Sequence, residues 1–370
     1  MDERYINNYF EKTVIQQYKT DVGFRTLVDS VNDNMYIIPK YQRKYRWDKA
    51  KVEGLVESLL RGLPIPPIYT CRNKENQLEI LDGQQRVMSL FFYYIGYFMN
   101  RRKNSAINFS RLEIENRTFK DALMEQFPME ELHIDLYDEK GQAINVDYKN
   151  LPIELKRKVD YTTITVIEIK IDQLQDREGI LKTIFANLNR GGVLLSDQEQ
   201  RNGIYNCDFY DMLREYNLNN TEWRKIWGRE DSQERDTETL LRFCAIKRYV
   251  KKQNNEYIVH EYNGSYTKML DRFSEESMKF TLEDIAEYKK SLDKFVSLFD
   301  LNVKCSKVTL LESIFVVHET ENRNIKITKA IIDEIMKDKQ YTANSRQGTV
   351  RMKNMNERWK AVDGILARYN

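Results

Sequence analysis

The spacing of apolar residues changes near residue 205 of this 370-residue chain. Before that point, short runs rich in β-branched residues, such as TTITVIEIK (162–170), alternate with stretches of helical period. After it, nearly every apolar stretch repeats at three or four residues, which predicts helices over 236–252, 282–300, 308–319 and 327–339. The change predicts an α+β protein with two domains. These are a mixed α/β domain over residues 1–205, with an insertion at about 100–150, and a helical domain over 206–370.

Boundary signals locate individual elements in the first half. The stretch TDVGFRTLVDSVND (20–33) predicts a short helix, and MYIIP predicts a strand. Asp48 has the position of an N-cap for a helix that Gly62 ends. The strand LEIL is followed by a helix from about Gln84, because the apolar residues switch there to helical spacing.

Two more helix signals precede residue 205. REGILKTIFANLNRGG (177–192) has apolar residues at helical spacing and ends in a glycine pair. Ser196 and Glu199 then have the spacing of a capping box, which predicts another helix start. Neither signal explains Arg201 and Asn202, although polar surface residues are common.

Asp82, Gly83 and Arg86 stand where the strand LEIL passes into its helix. A strand ending at Leu81 and a helix beginning near Gln84 place Gly83 at the helix N-terminus. Backbone N–H groups there have no intrahelical partner, and the helix dipole is positive. Glycine lets an anion approach the backbone, and Arg86 can add a two-pronged contact to phosphate oxygens. These features predict an anion site.

Asp82 complicates this interpretation, because a carboxylate repels phosphate. Three roles are open to it. It caps the helix, it holds a divalent metal that bridges to the phosphates, or it positions a water molecule as a base. Spacing alone favours the cap.

The segment IPKYQRKYRWD (38–48) interleaves cations with aromatic rings directly after a strand. Rings stack on a base and guanidiniums bind phosphate, so the pattern suits a nucleotide. The alternative, of about equal weight, is a loop whose rings pack on the core while its cations face water. Two loops of this kind in one α/β unit favour a shared nucleotide site. The residues concerned are Lys40, Tyr41, Arg43, Lys44, Tyr45, Arg46 and Trp47.

The net charge of +2 predicts that any contact with nucleic acid is local. One basic cluster at the end of a predicted helix could contact a phosphate backbone, although a solvated helix end is at least as good an explanation. Asp236, Glu238 and Arg242 of the same helix are expected to be solvated. The cluster consists of Lys247, Arg248, Lys251 and Lys252.

The spacing of the histidines and cysteines argues against a metal centre, an HNH nuclease site and a disulfide framework. The three histidines are scattered, with no metal-ligand or HNH-type arrangement, and the four cysteines are far apart. No apolar run is long enough to cross a membrane, and the N-terminus MDERYINNYFEK has no secretory pattern. We therefore expect a cytoplasmic protein that does not bind membranes.

Three motifs together resemble the GmrSD-type restriction family, whose hallmark is an Asp-Gly-Gln-Gln-Arg box. They are IPKYQRKYRW, ILDGQQR and LNRGGVLLSDQEQRN, in this order along the chain. RDTETLLRF and, more weakly, SRQGTVRM are similar to the helical portion of the family. The resemblance implies a ParB/sulfiredoxin-like N-terminal domain in a prokaryotic anti-phage or modification-dependent restriction system. It also implies binding, and often hydrolysis, of a nucleoside triphosphate with Mg²⁺, and action on foreign or modified DNA.

Carried over by position, the resemblance implies roles for individual residues. Asp82 becomes a metal or water ligand instead of a cap. The residues implied in catalysis are Asp82, Gln85 and Glu199. Those implied in nucleotide binding are Tyr41, Gln42, Arg43, Tyr45, Gly83, Gln84, Arg86 and Asn189.

The chain also departs from the family pattern. Asp197 and Gln200 stand where a proline and an aliphatic residue are more usual. Many relatives carry an HNH nuclease domain, and no such motif is visible here, so we expect an HNH nuclease partner or a pure sensor role. Two other classes stay open: a non-enzymatic DNA-binding or adaptor subunit whose nucleotide site is a switch, and a metal-dependent nuclease. Assembly into a homo-oligomer is left open as well.

Overall fold

The computed structural model describes residues 15–39, 42, 44–100, 102, 106–109, 112–137, 140–171, 184 and 196–369. The chain divides into two units, Met1–Leu194 and Leu195–Asn370. The boundary predicted at residue 205 lies at the far end of helix Asp197–Ile204, which falls within the second unit. Strands are concentrated in the first unit and helices dominate the second, so the predicted α+β fold class is confirmed.

The first unit combines a central sheet with helices and two small two-stranded sheets. Its elements in chain order are β1 (Ile15–Gly23), α1 (Phe24–Asn32), β2 (Tyr36–Ile37), α2 (Lys49–Arg61), β3 (Ile68–Arg72), β4 (Leu78–Asp82), α3 (Gln84–Ile95), β5 (Tyr97–Met99), α4 (Phe119–Gln126), β6 (Met129–Glu131), β7 (Asp135–Tyr137), β8 (Ala143–Asn145), a 3₁₀ turn (Tyr148–Asn150), α5 (Ile153–Asp160) and β9 (Thr163–Ile171).

The central sheet has the strand order β1-β9-β3-β4-β2. Strand β9 pairs antiparallel with β1 and parallel with β3, and β4 pairs antiparallel with β3 and parallel with β2. Strand β4 therefore lies between two other strands, and it leads through a single residue into α3. This arrangement fixes the position of the Asp-Gly-Gln-Gln-Arg box on the sheet.

Several predicted boundaries are confirmed, because the interactions that set them are local. The Asp48 side chain accepts a hydrogen bond from the Lys51 backbone N–H at 3.0 Å, and Gly62 ends α2 in the left-handed region with φ of +70°. Ser196 and Glu199 form the predicted capping box at the next helix start. The run TTITVIEIK lies almost entirely in β9.

The prediction of a helix over residues 20–33 is wrong at its beginning. Residues 20–23 belong to β1, and α1 begins only at Phe24. Every residue of β1 pairs with one of β9, from Ile15 opposite Ile171 to Gly23 opposite Thr163. Pairing with a strand more than a hundred residues away decides the conformation here, and the local sequence does not carry that signal. The helix predicted over 177–192 lies outside the described residues apart from Ile184.

The predicted insertion near residues 100–150 is part of the core of the first unit. Strands β5 and β6 pair antiparallel although residues 100–128 separate them, and β7 and β8 form a hairpin; both pairs lie outside the central sheet. Phe109, Phe119 and Tyr148 are buried in the same apolar cluster as the residues of α1, α2 and α3. The segment therefore extends the core, and its strands are short because they pair only with each other.

The second unit is a set of packed helices with one hairpin. Its elements are α6 (Asp197–Ile204), α7 (Asp208–Asn219), α8 (Thr221–Trp227), α9 (Arg235–Tyr249), β10 (Val250–Gln253), β11 (Glu256–Val259), α10 (Tyr266–Ser277), α11 (Leu282–Val296), α12 (Val308–Glu321), α13 (Lys329–Lys337), α14 (Lys339–Ala343), α15 (Met352–Leu366) and a terminal 3₁₀ turn (Ala367–Tyr369). The helices predicted from apolar spacing are α9, α11, α12 and α13.

The hairpin β10–β11 corrects the expectation that residues 236–252 form one helix. Helix α9 ends at Tyr249, and the chain turns back through Asn254 and Asn255, both with positive φ. Asparagine tolerates this conformation, and a pair of such residues between two strands is typical of a tight hairpin turn. The signal was present in the sequence as QNNEYIV, where an Asn pair precedes alternating apolar residues.

The acidic and basic residues at the start of α9 are also not solvated as expected. Asp236 is buried and accepts a hydrogen bond from the Arg224 guanidinium at 3.1 Å. Arg242 lies between Glu238 and Glu312, with N···O distances of 3.2 Å to each. Glu312 in turn pairs with Arg358 at 2.7 Å, and both side chains have no exposed surface. These charges hold helices of the second unit together.

Two further observations concern membrane-spanning helices and disulfide bonds. No helix in the described ranges is both long enough and apolar enough to cross a bilayer. The four cysteines, Cys71, Cys207, Cys244 and Cys305, all lie in the described ranges, and none of them forms a disulfide bond there.

Candidate functional site

The end of β4 is irregular, and this irregularity shapes the candidate site. In the pairing with β3, Thr70 lies opposite Ile80 and Tyr69 lies opposite Asp82, so Leu81 is an extra residue. Such a β-bulge turns the following side chain and frees backbone groups from the ladder. The Gln42 side chain donates from Nε2 to the carbonyl oxygens of Ile80 and Leu81, at 3.0 and 2.8 Å. Gln42 thereby connects the first motif to the strand that ends in Asp82.

Gly83 makes the turn from β4 into α3. Its φ of +96° lies in the left-handed region, where glycine has no steric penalty. A Cβ at this position would lie 3.2 Å from Ile68 Cγ1 and 3.2 Å from Arg86 Nη2. The turn therefore requires glycine for its dihedral angle and also for the space that Arg86 occupies.

Gly83 is the N-cap of α3, and no described side chain accepts from the first-turn N–H groups. The interpretation of Asp82 as the cap is therefore wrong. Its Oδ2 instead accepts a hydrogen bond from Arg86 Nη2 at 2.9 Å, and the same nitrogen donates to the Pro67 carbonyl at 2.9 Å. The Asp82 side chain is 38% exposed and that of Arg86 is 18% exposed. The pair lies at the surface of the unit, beside an uncapped helix N-terminus.

Two polar groups of the box are buried without a partner. Both amide atoms of Gln84 and Nε of Arg86 have no hydrogen-bond partner, although only 3% of the Gln84 residue is exposed. A buried polar group without a partner costs roughly 1–3 kcal/mol. Unpaired groups of this kind are uncommon in folded proteins and call for an explanation in function or in a different state of the site.

Gln85 has the opposite environment, because both its amide oxygen and its amide nitrogen have hydrogen-bond partners. Oε1 accepts from the backbone N–H groups of Arg46 and Trp47 at 3.0 and 3.2 Å, and Nε2 donates to the Lys44 carbonyl at 3.2 Å. These bonds fix the second half of the YQRKYRW segment against α3. They give Gln85 a positioning role, and its implied catalytic role stays a prediction.

The two predicted loops are thus in contact, as the shared-site interpretation requires. Gln42 bonds the end of β4, and Gln85 bonds the backbone on the other side of the same segment. Tyr41, Arg43 and Asn189 lie outside the described residues.

Tyr45 is a correction to the predicted nucleotide contacts. Its ring is fully buried, packs edge-on against Phe92 at 4.9 Å between centroids, and shares a hydrogen bond of 2.7 Å with Ser89. A ring in the apolar core offers no face to a base. The sequence left open whether the rings of this segment stack on a base or pack on the core. Tyr45 packs on the core.

Replacement of Gln85 by Leu should show how much the hydrogen bonds of the Gln85 side chain contribute to stability. The change removes three hydrogen bonds of a buried amide with the backbone of Lys44, Arg46 and Trp47, so we expect the free energy of unfolding to fall by about 2–3 kcal/mol. Gln126→Leu is the control, because Gln126 makes similar paired bonds with the backbone of Glu113 at an exposed position. Urea denaturation of both variants measures the difference, and equal losses would contradict a special role for Gln85.

Glu199 and its neighbours in the third motif have structural contacts within the second unit. Glu199 Oε2 accepts from the Ser196 backbone N–H at 2.7 Å in the capping box. Arg201 is buried and pairs with Asp271 at 2.8 Å and Glu238 at 3.3 Å. Cap geometry accounts for Glu199, and helix packing accounts for Arg201.

The basic cluster predicted to contact DNA is neutralised for the most part by carboxylates. Lys247 lies 3.4 Å from Glu319, Arg248 lies 3.2 Å from Glu276, and Lys252 lies 2.8 Å from both Glu321 and Asp363. Lys251 and Lys252 also belong to β10 and not to the end of α9. The four residues do not form the uncompensated helical face that the sequence suggested.

Asp82 is the carboxylate that pairs with Arg86 at the Gly83 turn. No set of three His, Cys, Asp or Glu side chains in the described ranges is arranged to hold a metal. Mg²⁺ in nucleotide sites is commonly held by one or two carboxylates together with phosphate oxygens and water. Asp82 fits a magnesium ion that arrives with a phosphate, and it does not fit a metal held by protein side chains alone.

Sequence reasoning missed the residues that support the box from β3. Pro67 accepts from Arg86, and Ile68 closes the space beside Gly83. The sequence shows only an extended PPI segment before a strand, which gives no information on the strand that follows 10 residues later. Only the pairing of β3 with β4 brings these residues to the turn.

Fold and site together define an α+β protein whose first unit presents a strand–glycine–helix turn with one acid and one arginine. Residues 24–206 match the family model described as the N-terminal domain of the GmrSD restriction endonuclease. The chain belongs to the GmrSD restriction endonuclease family and is a component of a restriction system. No curated protein matches the chain.

Proposed function

We propose that the first unit binds a nucleoside triphosphate at the Asp82–Arg86 turn and hydrolyses it, and that this controls restriction of foreign or modified DNA. The observation that carries the proposal is the uncapped N-terminus of α3 beside Arg86 and the buried, unpaired amide of Gln84. A helix N-terminus with free N–H groups and a guanidinium nearby attracts phosphate.

Each residue of the turn has a role in the proposal. The backbone N–H groups of Gly83 and the first turn of α3, with Arg86, bind phosphate oxygens. Asp82 holds Mg²⁺ together with those oxygens, or positions the attacking water. Gln42 and Gln85 do not touch the nucleotide through their amides. Gln42 bonds the end of β4, and Gln85 holds the backbone of residues 44–47 of the YQRKYRW segment against α3. This leaves Tyr41 and Arg43 as the proposed base and phosphate contacts of that segment.

One observation favours a second candidate, a nucleotide-dependent switch without turnover. Of the residues implied in catalysis, Gln85 is committed to backbone hydrogen bonds and Glu199 to a capping box. If Asp82 acts alone, hydrolysis has no second acid or base from this set. In that case nucleotide binding would regulate a nuclease partner of the HNH type or contact with DNA.

The experiment is isothermal titration with ATP and GTP, with and without MgCl₂, together with measurement of released phosphate. For Arg86→Ala we expect affinity in the presence of Mg²⁺ to fall by about tenfold or more, because a charged hydrogen bond contributes roughly 1.5–3 kcal/mol. For Asp82→Ala we expect loss of phosphate release. Arg61→Ala is the control, since Arg61 also pairs with a carboxylate four residues before it but lies at the far end of α2.

The outcomes separate the candidates. Binding with turnover supports the hydrolase, and binding without turnover supports the switch. Unchanged affinity and turnover in both variants would show that the site assignment is wrong. Cutting of DNA by the purified chain alone would indicate a nuclease and would count against both.

A further inference from the structure

We propose that Asp82 acts as an internal counter-ion that withholds Arg86 from phosphate until the charge of Asp82 is neutralised. The proposal deepens the proposed function and rests on it, since it concerns how the same turn admits its ligand. It makes phosphate binding and neutralisation of Asp82 mutually dependent events.

The contacts of Arg86 are the first argument. Nη2 is shared between Asp82 Oδ2 and the Pro67 carbonyl, both at 2.9 Å, so the guanidinium is turned back to the strand edge. An anion that is to accept from this nitrogen must replace at least one of these acceptors. The Asp82 carboxylate is a charged competitor built into the same four-residue turn, and its effective concentration at Arg86 is high.

The unpaired groups are the second and independent argument. Nε of Arg86 and both amide atoms of Gln84 are buried without partners. In this arrangement, the box satisfies only part of its hydrogen-bonding capacity. A rotation of Arg86 away from Asp82 would let Nε meet a new acceptor. The observed state is thus a closed one, with an energetic reason to open when an anion offers acceptors.

The position of Gly83 is consistent with this movement. A hydrogen atom takes the place of a Cβ that would lie 3.2 Å from Arg86 Nη2. Glycine therefore leaves the guanidinium a path past the turn, which any other residue would narrow. The half-exposed Asp82 carboxylate is reached from solvent, so a cation can bind it without unfolding the turn.

Two expected binding results distinguish a counter-ion role of Asp82 from simple repulsion of phosphate. Removing the charge of Asp82 should improve binding of a triphosphate in the absence of metal, and the improvement should require Arg86. If Asp82 only repels phosphate, the improvement should be the same whether or not Arg86 is present. A double-mutant cycle separates the two explanations.

The experiment measures the affinity of ATP and GTP for the full chain in EDTA and in MgCl₂, using Asp82→Asn, Arg86→Gln and the double variant. We expect Asp82→Asn to bind at least about fivefold more tightly than the wild type in EDTA. We expect Mg²⁺ to tighten binding to the wild type but to change the affinity of Asp82→Asn by less than about twofold. In the Arg86→Gln background, Asp82→Asn should give no gain in EDTA.

The matched control is Glu57→Gln, which removes the carboxylate of another four-residue arginine pair in the same unit, Arg61 with Glu57 at 2.8 Å. It changes net charge by the same amount and should leave both affinities unchanged. If it tightens binding as much as Asp82→Asn does, the effect is one of overall charge and the proposal is overturned.

Other outcomes of these titrations would overturn the counter-ion proposal, with or without the proposed function. Wild-type binding with no gain in Asp82→Asn overturns the counter-ion proposal but leaves the proposed function in place. A gain that persists in the Arg86→Gln background overturns it in favour of simple repulsion. Absence of nucleotide binding in every variant overturns both. Should Arg86→Gln fail to fold, the Mg²⁺ dependence of wild type and Asp82→Asn still decides, because equal dependence contradicts the proposal.

Discussion

Replacement of Glu312 by Leu is expected to lower the free energy of unfolding of the second unit by about 3–5 kcal/mol. Glu312 and its partner Arg358 have no exposed surface, and their charged groups are 2.7 Å apart. Glu312 also accepts from Trp359 Nε1 at 3.2 Å and pairs with Arg242. The leucine would leave Arg358 buried without a carboxylate, and a buried uncompensated charge is among the most destabilising defects in a protein.

Urea denaturation followed by tryptophan fluorescence measures this loss. Three of the four tryptophans, Trp223, Trp227 and Trp359, belong to the second unit. Glu287→Leu is the matched control on α11, because Glu287 is 70% exposed and lies 3.5 Å from Lys247. It should cost less than about 1 kcal/mol. Similar losses in the two variants would show that burial does not decide the contribution of Glu312.

The same pair makes the second unit sensitive to acid. Burial by itself raises the pKa of Glu312, but the nearby charges of Arg358 and Arg242 more than offset this and hold the pKa below its usual value. A carboxyl with a lowered folded pKa stabilises the protein above its unfolded pKa of roughly 4.3, and this contribution is lost as the pH falls through the folded value. The stability difference between wild type and Glu312→Leu should therefore shrink on acidification and not on alkalinisation.

Replacement of Gly83 by Ala is expected to impair both folding and the proposed binding of nucleotide. The left-handed φ of +96° costs an alanine roughly 1–2 kcal/mol, and its Cβ would meet Ile68 Cγ1 and Arg86 Nη2, both at 3.2 Å. We expect a total loss of about 2–3 kcal/mol in stability. Because the Cβ displaces Arg86, we also expect nucleotide affinity to fall by about tenfold or more.

Gly62→Ala isolates the steric part of this effect. Gly62 also has a positive φ, of +70°, but a Cβ there would meet nothing within 4 Å. This variant should lose only the conformational term and should bind nucleotide as the wild type does. Thermal denaturation and titration with ATP and GTP compare the two. Equal stability losses, or unchanged affinity in Gly83→Ala, would contradict the role assigned to the space beside Gly83.

Local signals in the sequence predicted much of the fold. Asp48, Gly62 and the Ser196–Glu199 capping box were located correctly because each depends on contacts within four residues. Helices of the second unit were predicted from apolar spacing, which reflects one buried face. Strand β1 was missed because its partner β9 is remote in sequence.

The candidate site shows the same division. The sequence placed Gly83 correctly at a strand-to-helix turn and placed two phosphate-friendly loops in one unit. It did not predict that Gln85 would clamp the second loop or that Tyr45 would lie in the core. Both outcomes depend on which face of a loop packs inward, and alternating cations and aromatic rings are compatible with either face.

The environments of charged residues in the second unit were the hardest feature to predict from the sequence. For Lys247 and Lys252 the sequence left open a basic face and a solvated helix end, and it predicted that Asp236 would be solvated. Their partners lie on other helices, at separations that no local spacing rule covers. Apolar spacing predicts that a helix is buried on one face, but it does not identify the helix that packs there.

By itself, the sequence determined the α+β class, the helical second half and a glycine turn flanked by Asp82 and Arg86, because propensity, capping and spacing act over a few residues. Only the tertiary structure decided that Asp82 pairs with Arg86 and does not cap the helix. That choice depends on the start of β3, which brings Ile68 and the preceding Pro67 carbonyl to the turn, where Arg86 Nη2 donates to both Pro67 and Asp82. Contacts between strands distant in sequence fix side-chain direction, and a local pattern cannot encode them.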